Sequence, residues 1–364
     1  MKKVHFKQIR CIVRLNVKKR SKEFRKQKKC KKNTSSTSSW IESNSQISLM
    51  DDKSLSISFP EKFNLSENID NSLDAINSIR KITSQSKNHL KRIDLNPIRE
   101  ISTSASLLLT AEIDKWNNKV GNRLTPRTKE WSPSVRKHLI DLGFFELCNF
   151  NYDEFKESEN NNTLEIVKFI KGSNKDVNKA KFLRQEIERI VRGRVKRPSL
   201  FQALSEAITN VTHHAYPTKS QLEKNWYMTA SFCDESRNLK VAFYDQGIGI
   251  PSSLPKSNLW ERAKHFLSKS KLYNDHPSLI EAAVEMGRSK EDKSYRGKGL
   301  QDLLEFIKQY GNGYLSILSQ KGLYKFSSNN RNESSKKEKL NTPILGTLII
   351  WCVKVPERGS KHEI

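Results

Sequence analysis

Apolar residues recur along the chain with two spacings, which predict strands and helices in the same region. Alternating apolar positions predict strands at 55–59 and 90–95, and the largely apolar run at 164–170 predicts a third strand. The stripe of Ile69, Leu73, Ile76 and Ile79 has helical periodicity and predicts a helix over 65–82. Further helices are predicted at 101–116 and at 132–142, where Ser132 and Pro133 form the cap and first turn. We therefore predict a small α/β domain at 51–172.

A second domain is predicted at 173–364, where longer helices and strands follow one another. Residues 252–296 interrupt this pattern as an insertion with helical pieces, the clearest of them at 277–287. The predicted helices are 177–191, 198–215 and 299–310; the predicted strands are 226–233, 239–244 and 345–355; 314–319 and 323–327 form a hairpin, and 336–339 lie in a polar loop.

Charge changes this picture at the N-terminus. The 364-residue chain has a formal net charge of +26 and only 35% hydrophobic residues. Residues 1–32 contain fifteen Lys or Arg and one acid, Glu23. We predict an arm and linker at 1–50, with a strand at 13–17, a basic helix or disordered arm at 18–29, and a polar linker at 33–48. DNA, RNA, a ribosome or an acidic protein surface suits such an arm, and a solvated tail is the alternative.

The cysteines and the hydropathy of the chain indicate its cellular compartment. The cysteines are scattered and form no Cys-x-x-Cys pair, which favours reduced thiols in a cytoplasmic protein over a disulfide framework or a zinc site. No apolar run has the length of a membrane span, and the charged N-terminus lacks the apolar core of a secretory signal. The cysteines are Cys11, Cys30, Cys148, Cys233 and Cys352.

The first chemical motif places Glu206 and Asn210 four residues apart, on one face of the predicted helix. A carboxamide oxygen is a suitable ligand for a Mg²⁺ that keeps most of its waters and bridges phosphates. Glu206 can orient an attacking water or a substrate hydroxyl as a general base. A solvated Glu and a surface Asn are the alternative.

The second motif, Asp245-Gln-Gly247-Ile-Gly249, follows an apolar strand. A buried carboxylate needs a partner, because burying an unpaired charge is costly. The two glycines allow close approach of the backbone to a ligand. An Asx-type turn is the alternative for Asp245.

Two further stretches suit a phosphate and a base. Arg296, Gly297, Lys298, Gly299 and Leu300 open a helix, where free backbone N–H groups attract phosphate. Lys298 reaches a phosphate or faces solvent. Gly346-Thr347 lies in the final strand, where Thr needs no functional role.

Together these stretches resemble the Bergerat-fold (GHKL) ATPases, which include gyrase B, heat-shock chaperones, MutL proteins and sensor histidine kinases. The resemblance covers about 176–356, and Glu206-Ala-x-x-Asn210-x-x-x-His214-Ala-Tyr216 is nearest to the anti-sigma-factor serine kinases. It implies a histidine-kinase-like ATPase domain, an α+β two-layer sandwich, that binds Mg²⁺ and ATP. The strand and helix order before it resembles the STAS-like regulatory domains.

The resemblance also implies roles for individual residues. Asn210 would bind Mg²⁺, Glu206 would act as the base, and Asp245 would accept from the adenine amino group. His214 would lie near the phosphates without being a phosphoacceptor, and Thr347 would support the adenine side. The family's second glycine box has glycine where this chain has Ser294, which puts the phosphate contacts of 296–300 in doubt. Residues 252–296 would form a lid over ATP.

Three functions follow as hypotheses. The first is an ATPase or protein serine/threonine kinase in a regulatory system with a protein partner. The second is an ATP-dependent switch with little turnover, and the third is a nucleic-acid-binding protein with a vestigial site. A homodimer is compatible with each of them.

Overall fold

The structure is a computed structural model that describes part of the chain. The described residues are 46–49, 55–84, 90–120, 130–148, 163–173, 176, 178–193, 195, 197–211, 215–216, 224–257, 259–268, 272–286 and 299–357. The expected strand at 13–17, the basic segment at 18–29 and four expected site residues lie outside them: His214, Arg296, Gly297 and Lys298.

The first elements are short strands and longer helices close to those predicted. They are β1 (Ile47–Leu49), β2 (Leu55–Ser58), β3 (Lys62–Phe63), α1 (Ile69–Thr83), β4 (Leu90–Asp94), β5 (Glu100–Ile101), α2 (Thr103–Val120), α3 (Pro133–Leu142) and a 3₁₀ turn at Phe144–Cys148. The α1 helix begins later than predicted. The Asn64 side chain accepts the Ser66 N–H at 2.8 Å, which holds a turn before the helix.

One strand lies where the sequence predicts a linker. β1 pairs antiparallel with β2, with Ile47 opposite Ile57, and β2 pairs parallel with β4. The order of this small sheet is β1-β2-β4. The predicted linker at 33–48 is therefore wrong in its last two residues, which lie in β1, where Ile47 is buried against a neighbouring strand.

The later elements build a larger, antiparallel sheet. They are β6 (Leu164–Gly172), α4 (Asn178–Ile190), α5 (Arg197–Asn210), β7 (Trp226–Cys233), β8 (Asn238–Asp245), α6 (Ile250–Ser253), α7 (Trp260–Ser268), α8 (His276–Met286), α9 (Gly299–Tyr310), β9 (Gly313–Asn329) and β10 (Asn332–Lys354). The sheet order is β6-β7-β8-β10-β9. The α-helical part of α5 ends at Asn210; Val211 and Ala215, toward the end of the predicted 198–215 helix, are π-helical.

The strand at 164–172 belongs to this larger sheet. The predicted domain boundary at 172 places it in the small N-terminal domain, but β6 pairs with β7, with Val167 opposite Ala230. A largely apolar strand predicts burial without specifying a partner, so its residues do not show which sheet it joins.

β9 turns back on itself at Gln320, which has a positive φ of 52°. Near its far end Ser328 donates to the Gly311 carbonyl at 3.0 Å, so this end has returned to the start of the strand. The fold-back agrees with the predicted hairpin. The predicted polar loop at 336–339 is wrong, since these residues lie in β10 opposite 322–325. Their exposed lysines resemble a loop in sequence, and lysine is also typical of protected sheet edges.

Helices cover both faces of the larger sheet. On one face α4, α5 and α9 pack over an apolar cluster that includes Phe243, Ile317 and Trp351. On the other face α1 and α2 pack over residues that include Tyr227 and Tyr244. The protein is thus a mixed α/β structure compatible with an α+β fold. The N-terminal helices add a third layer to the two layers predicted for 173–364.

The insertion between β8 and α9 is folded rather than extended. After α6, a 3₁₀ turn at Leu254–Lys256 leads into α7 and α8, and these pieces share a small apolar core. Leu267, Ile280 and Val284 of the insertion are buried. Across the described residues, no helix has both the length and the apolar character that a membrane span requires.

Candidate functional site

The α5 helix presents its apolar side to the core and its C-terminal end to a cavity. Leu200, Leu204 and Ile208 are fully or almost fully buried. Asn210, at the C-terminal end of the helix, lines the cavity. The helical spacing read from the sequence therefore gives α5 its orientation.

Asp245 is the last residue of β8 and opens into the same cavity. Its residue is 4% exposed, and one carboxylate oxygen, Oδ1, accepts the Gly247 N–H at 2.8 Å. Burial raises the pKa of Asp245 to about 7, although backbone N–H groups of Gly247 and Thr347 act in the opposite direction. The carboxylate has no cationic side chain among these interactions.

The segments that carry the two motifs are joined through their backbones. The Ile248 N–H donates to the Ala215 carbonyl at 2.8 Å, and the Gln246 N–H donates to Tyr216 Oη at 3.2 Å. A Cβ on Gly247 would lie 2.3 Å from the Ala215 oxygen. Gly247 is thus required where the loop after β8 meets the chain after α5. This is a protein contact, which the sequence analysis did not foresee for a glycine expected to approach a nucleotide.

Gly249 and Gly346 adopt positive φ values of 80° and 72° beside Asp245. A Cβ on Gly346 would lie 1.9 Å from the Asp245 carbonyl oxygen. The Ser319 hydroxyl donates to the Gly346 carbonyl at 2.9 Å and accepts the Ile250 N–H, also at 2.9 Å. Ser319 therefore joins β9, β10 and α6. No motif marks it in the sequence.

The cavity brings five predicted site residues together. The space in it that water-sized molecules can occupy is about 100 Å³. Asp245 is the only ionisable residue among the described lining residues, and most of the others are apolar. The predicted residues in its lining are Asn210, Asp245, Gly249, Leu300 and Thr347.

Other predicted residues lie elsewhere. Glu206 is half-buried, one turn before Asn210, and is not part of the cavity lining. Burial and the nearby Asp302 raise its pKa. Gly247 lies next to the cavity, and Gly299 begins α9.

Two observations concern ligands. The Asn210 Nδ2 atom is buried and has no hydrogen-bond partner within the described part of the chain. In the same part of the chain, no three His, Cys, Asp or Glu side chains form a metal-binding group. Any divalent cation here would therefore need ligands from a bound molecule as well as from the protein.

Comparison with protein-family models gives no match, and comparison with curated proteins gives none either.

Proposed function

We propose that the chain binds Mg²⁺ and ATP in the manner of the Bergerat-fold ATPases, with the base in the cavity beside Asp245. The observation that carries the proposal is that Asn210 and Asp245, 35 positions apart in sequence, line one cavity. If they opened onto different surfaces, the two motifs would have no common ligand. Their convergence supports a nucleotide site.

The adenine end fits the residues present. Phe243, Ile349 and Leu254 offer apolar walls for a ring. Asp245 offers an acceptor for an exocyclic amine, and a buried carboxylate with no cationic partner among the described residues gains from such a donor. The Thr347 hydroxyl lies 3.1 Å from Ser319 Oγ, so it is held at the base of the cavity.

A magnesium ion also fits the donor set. The carboxamide of Asn210 is a neutral oxygen donor at the cavity wall, and its buried Nδ2 has no hydrogen-bond partner in the part of the chain that the structure describes. Magnesium commonly takes few protein ligands and completes its shell with water and phosphate oxygens. When bound, it would neutralise charge on the phosphates.

The proposed activity is ATP hydrolysis or transfer of the γ-phosphate to a protein Ser or Thr. Glu206 is the proposed base, since it lies one turn from Asn210 on the same helix and its raised pKa brings it closer to neutral pH. His214 and residues 296–300 are proposed for the phosphate end, where Leu300 supplies one wall.

An ATP-dependent switch with little turnover is the second candidate. Contacts from α1 and α2 to Tyr244 and Gln246, the two chain neighbours of Asp245, favour it. Such contacts suit a protein in which nucleotide binding alters another layer of the fold.

Nucleotide binding and turnover by the full chain test these candidates. With Mg²⁺, we expect wild type to bind ATP and Asp245→Asn to bind it at least about tenfold more weakly, because a charge-assisted hydrogen bond is lost. Glu206→Gln should retain binding. Loss of turnover in Glu206→Gln supports the enzyme, and absence of turnover in wild type supports the switch. Wild type that does not bind ATP at millimolar concentration would contradict both.

A further inference from the structure

Asp245 stands between two residues that point the opposite way. Its carboxylate opens into the cavity, whereas the side chains of Tyr244 and Gln246 reach helices α1 and α2. Alternation of side chains along an extended backbone produces this arrangement. A single strand end thus faces the cavity on one side and the N-terminal helices on the other.

Both neighbours are held by one buried ion pair. Arg80 of α1 donates from Nη2 to Glu112 Oε1 of α2 at 2.6 Å, and the Glu112 side chain is 3% exposed. The same Arg80 nitrogen donates to Tyr244 Oη at 2.7 Å. The same Glu112 oxygen accepts from Gln246 Nε2 at 2.7 Å.

The backbone beside Asp245 is also fixed from the cavity side. Tyr216 Oη accepts the Gln246 N–H, and Tyr216 itself donates to the Asn225 carbonyl at 2.8 Å. The Gly247 N–H then closes onto Asp245 Oδ1. Because the peptide groups on both sides of Asp245 are restrained, the Arg80–Glu112 pair helps to set where the carboxylate points.

We propose that Glu112, Arg80, Gln246 and Tyr244 are positioning residues for the adenine-recognising carboxylate, and that they couple the N-terminal helices to nucleotide binding. This inference rests on the proposed function. Asp245 recognises the base, while the ion pair acts only through its two neighbours. Coupling is reciprocal: a nucleotide that fixes Asp245 also stabilises the contacts of Arg80 and Glu112.

The chain contains a matched control on the next strand. Tyr227 Oη donates to Asp114 Oδ2 of α2 at 2.6 Å, and Tyr227 lies opposite Tyr244 in the sheet. Both tyrosines are fully buried on the same face. Only Tyr244 is adjacent to Asp245 along the chain.

The test compares Gln246→Leu and Tyr244→Phe with Tyr227→Phe in the full chain. Calorimetry with Mg²⁺ gives the affinities for ATP and for GTP. We expect ATP affinity to fall about fivefold in each of the first two variants, the effect of one hydrogen bond. GTP affinity should stay unchanged, so the ATP-to-GTP ratio falls. Tyr227→Phe should keep the wild-type ratio.

The outcomes separate this inference from the proposed function. An unchanged ATP-to-GTP ratio in Gln246→Leu and Tyr244→Phe, or an equal fall in Tyr227→Phe, overturns the positioning role while ATP binding by wild type stands. Wild type that does not bind ATP removes the proposed function and this inference together.

A measurement on wild type alone covers the case in which a variant does not fold. Hydrogen exchange at the amides around Arg80 in α1 and Glu112 in α2 should slow when Mg²⁺ and ATP are added. Unchanged exchange in both helices, with ATP bound, overturns the coupling.

Discussion

At the scale of single residues, the candidate site combines the burial of a carboxyl group, which costs free energy, with close packing of backbone segments. Asp245 is a buried carboxyl whose pKa is about 7 instead of 3.8. Gly247 and Gly346 lie against other backbone atoms where a Cβ does not fit. Among the described residues the acid has no cationic partner, and neither Gly247 nor Gly346 has room for a side chain, so the site is specified by more than stability.

Asp245 should make the stability of the ligand-free protein depend on pH. Its folded pKa is raised, so the folded state keeps the proton while the unfolded state loses it. The stability is complete below about pH 4 and is lost as pH rises through about 7. The loss is on the order of 4 kcal/mol at most. Denaturant titrations across this range should show Asp245→Asn lacking this decline.

Asp141→Asn is the control for this titration, since Asp141 pairs with Lys137 on the partly exposed helix α3. It should leave the decline in place. An Asp245→Asn curve that parallels wild type between pH 4 and 8 would falsify the assignment of a raised pKa.

Gly346→Ala should destabilise the protein far more than Gly193→Ala. Both glycines have φ near 72°, which costs an alanine about 1–2 kcal/mol. A Cβ at Gly193 meets nothing within 4 Å, whereas one at Gly346 meets the Asp245 carbonyl. The difference between the urea unfolding midpoints of the two variants gives the cost of the contact between the new Cβ at Gly346 and the Asp245 carbonyl. Equal costs would mean that the backbone at Gly346 moves away freely.

At the scale of elements, a helix and a loop bring the site together. α5 is anchored by its apolar stripe, and the loop after β8 is joined to the chain beyond α5 by the Ile248–Ala215 hydrogen bond. β9 and β10 close the other side through Ser319. Asn210 and Asp245 are therefore held by packing that is independent of any ligand.

The stripe on α5 gives an element-scale prediction. Leu204→Ala should reduce the free energy of unfolding by about 2–5 kcal/mol, because it leaves a cavity in the core. Phe201→Ala on the same helix should cost less than about 1 kcal/mol, since Phe201 is 38% exposed. Thermal or chemical denaturation measures both. Similar costs for the two would show that α5 packs with a different face.

At the scale of the whole molecule, the N-terminal helices complete the larger sheet. Tyr227, Tyr244, Leu318, Leu348 and Ile350 belong to the cluster that contains α1 and α2 residues. The middle of β10 also contacts α1. The hydroxyl of Thr342 in β10 donates to Asp74 Oδ1 in α1 at 2.6 Å. The small α/β part and the larger part therefore share a core.

A fragment of residues 163–357 should not behave as an independent domain. Without α1 and α2 it would expose a broad apolar sheet face, which favours association or aggregation. Light scattering should show aggregated or oligomeric material, in contrast to a fragment of residues 46–357. A monomeric 163–357 fragment with a cooperative unfolding transition would contradict the shared core.

The sequence alone determined the helices and strands with strong periodicity, and its motifs marked five of the residues that line the cavity. The stripe of α1 and the β7–β8 pair follow from local spacing, which reports which face of an element is buried. Asn210 was recognisable by its four-residue spacing from Glu206, Asp245 by its place after an apolar strand and before two glycines, and Thr347 only through the family resemblance.

Only the tertiary structure decided what each buried face packs against. An apolar face specifies burial but not its partner, so neither the pairing of β6 with β7 nor the docking of α1 and α2 on the sheet could be read from their residues. No motif marks Ser319 or Glu112, and Gln246 lies inside the Asp245 motif without a role that its sequence assigns. Their roles come from hydrogen bonds to segments distant along the chain, and such contacts leave no local period.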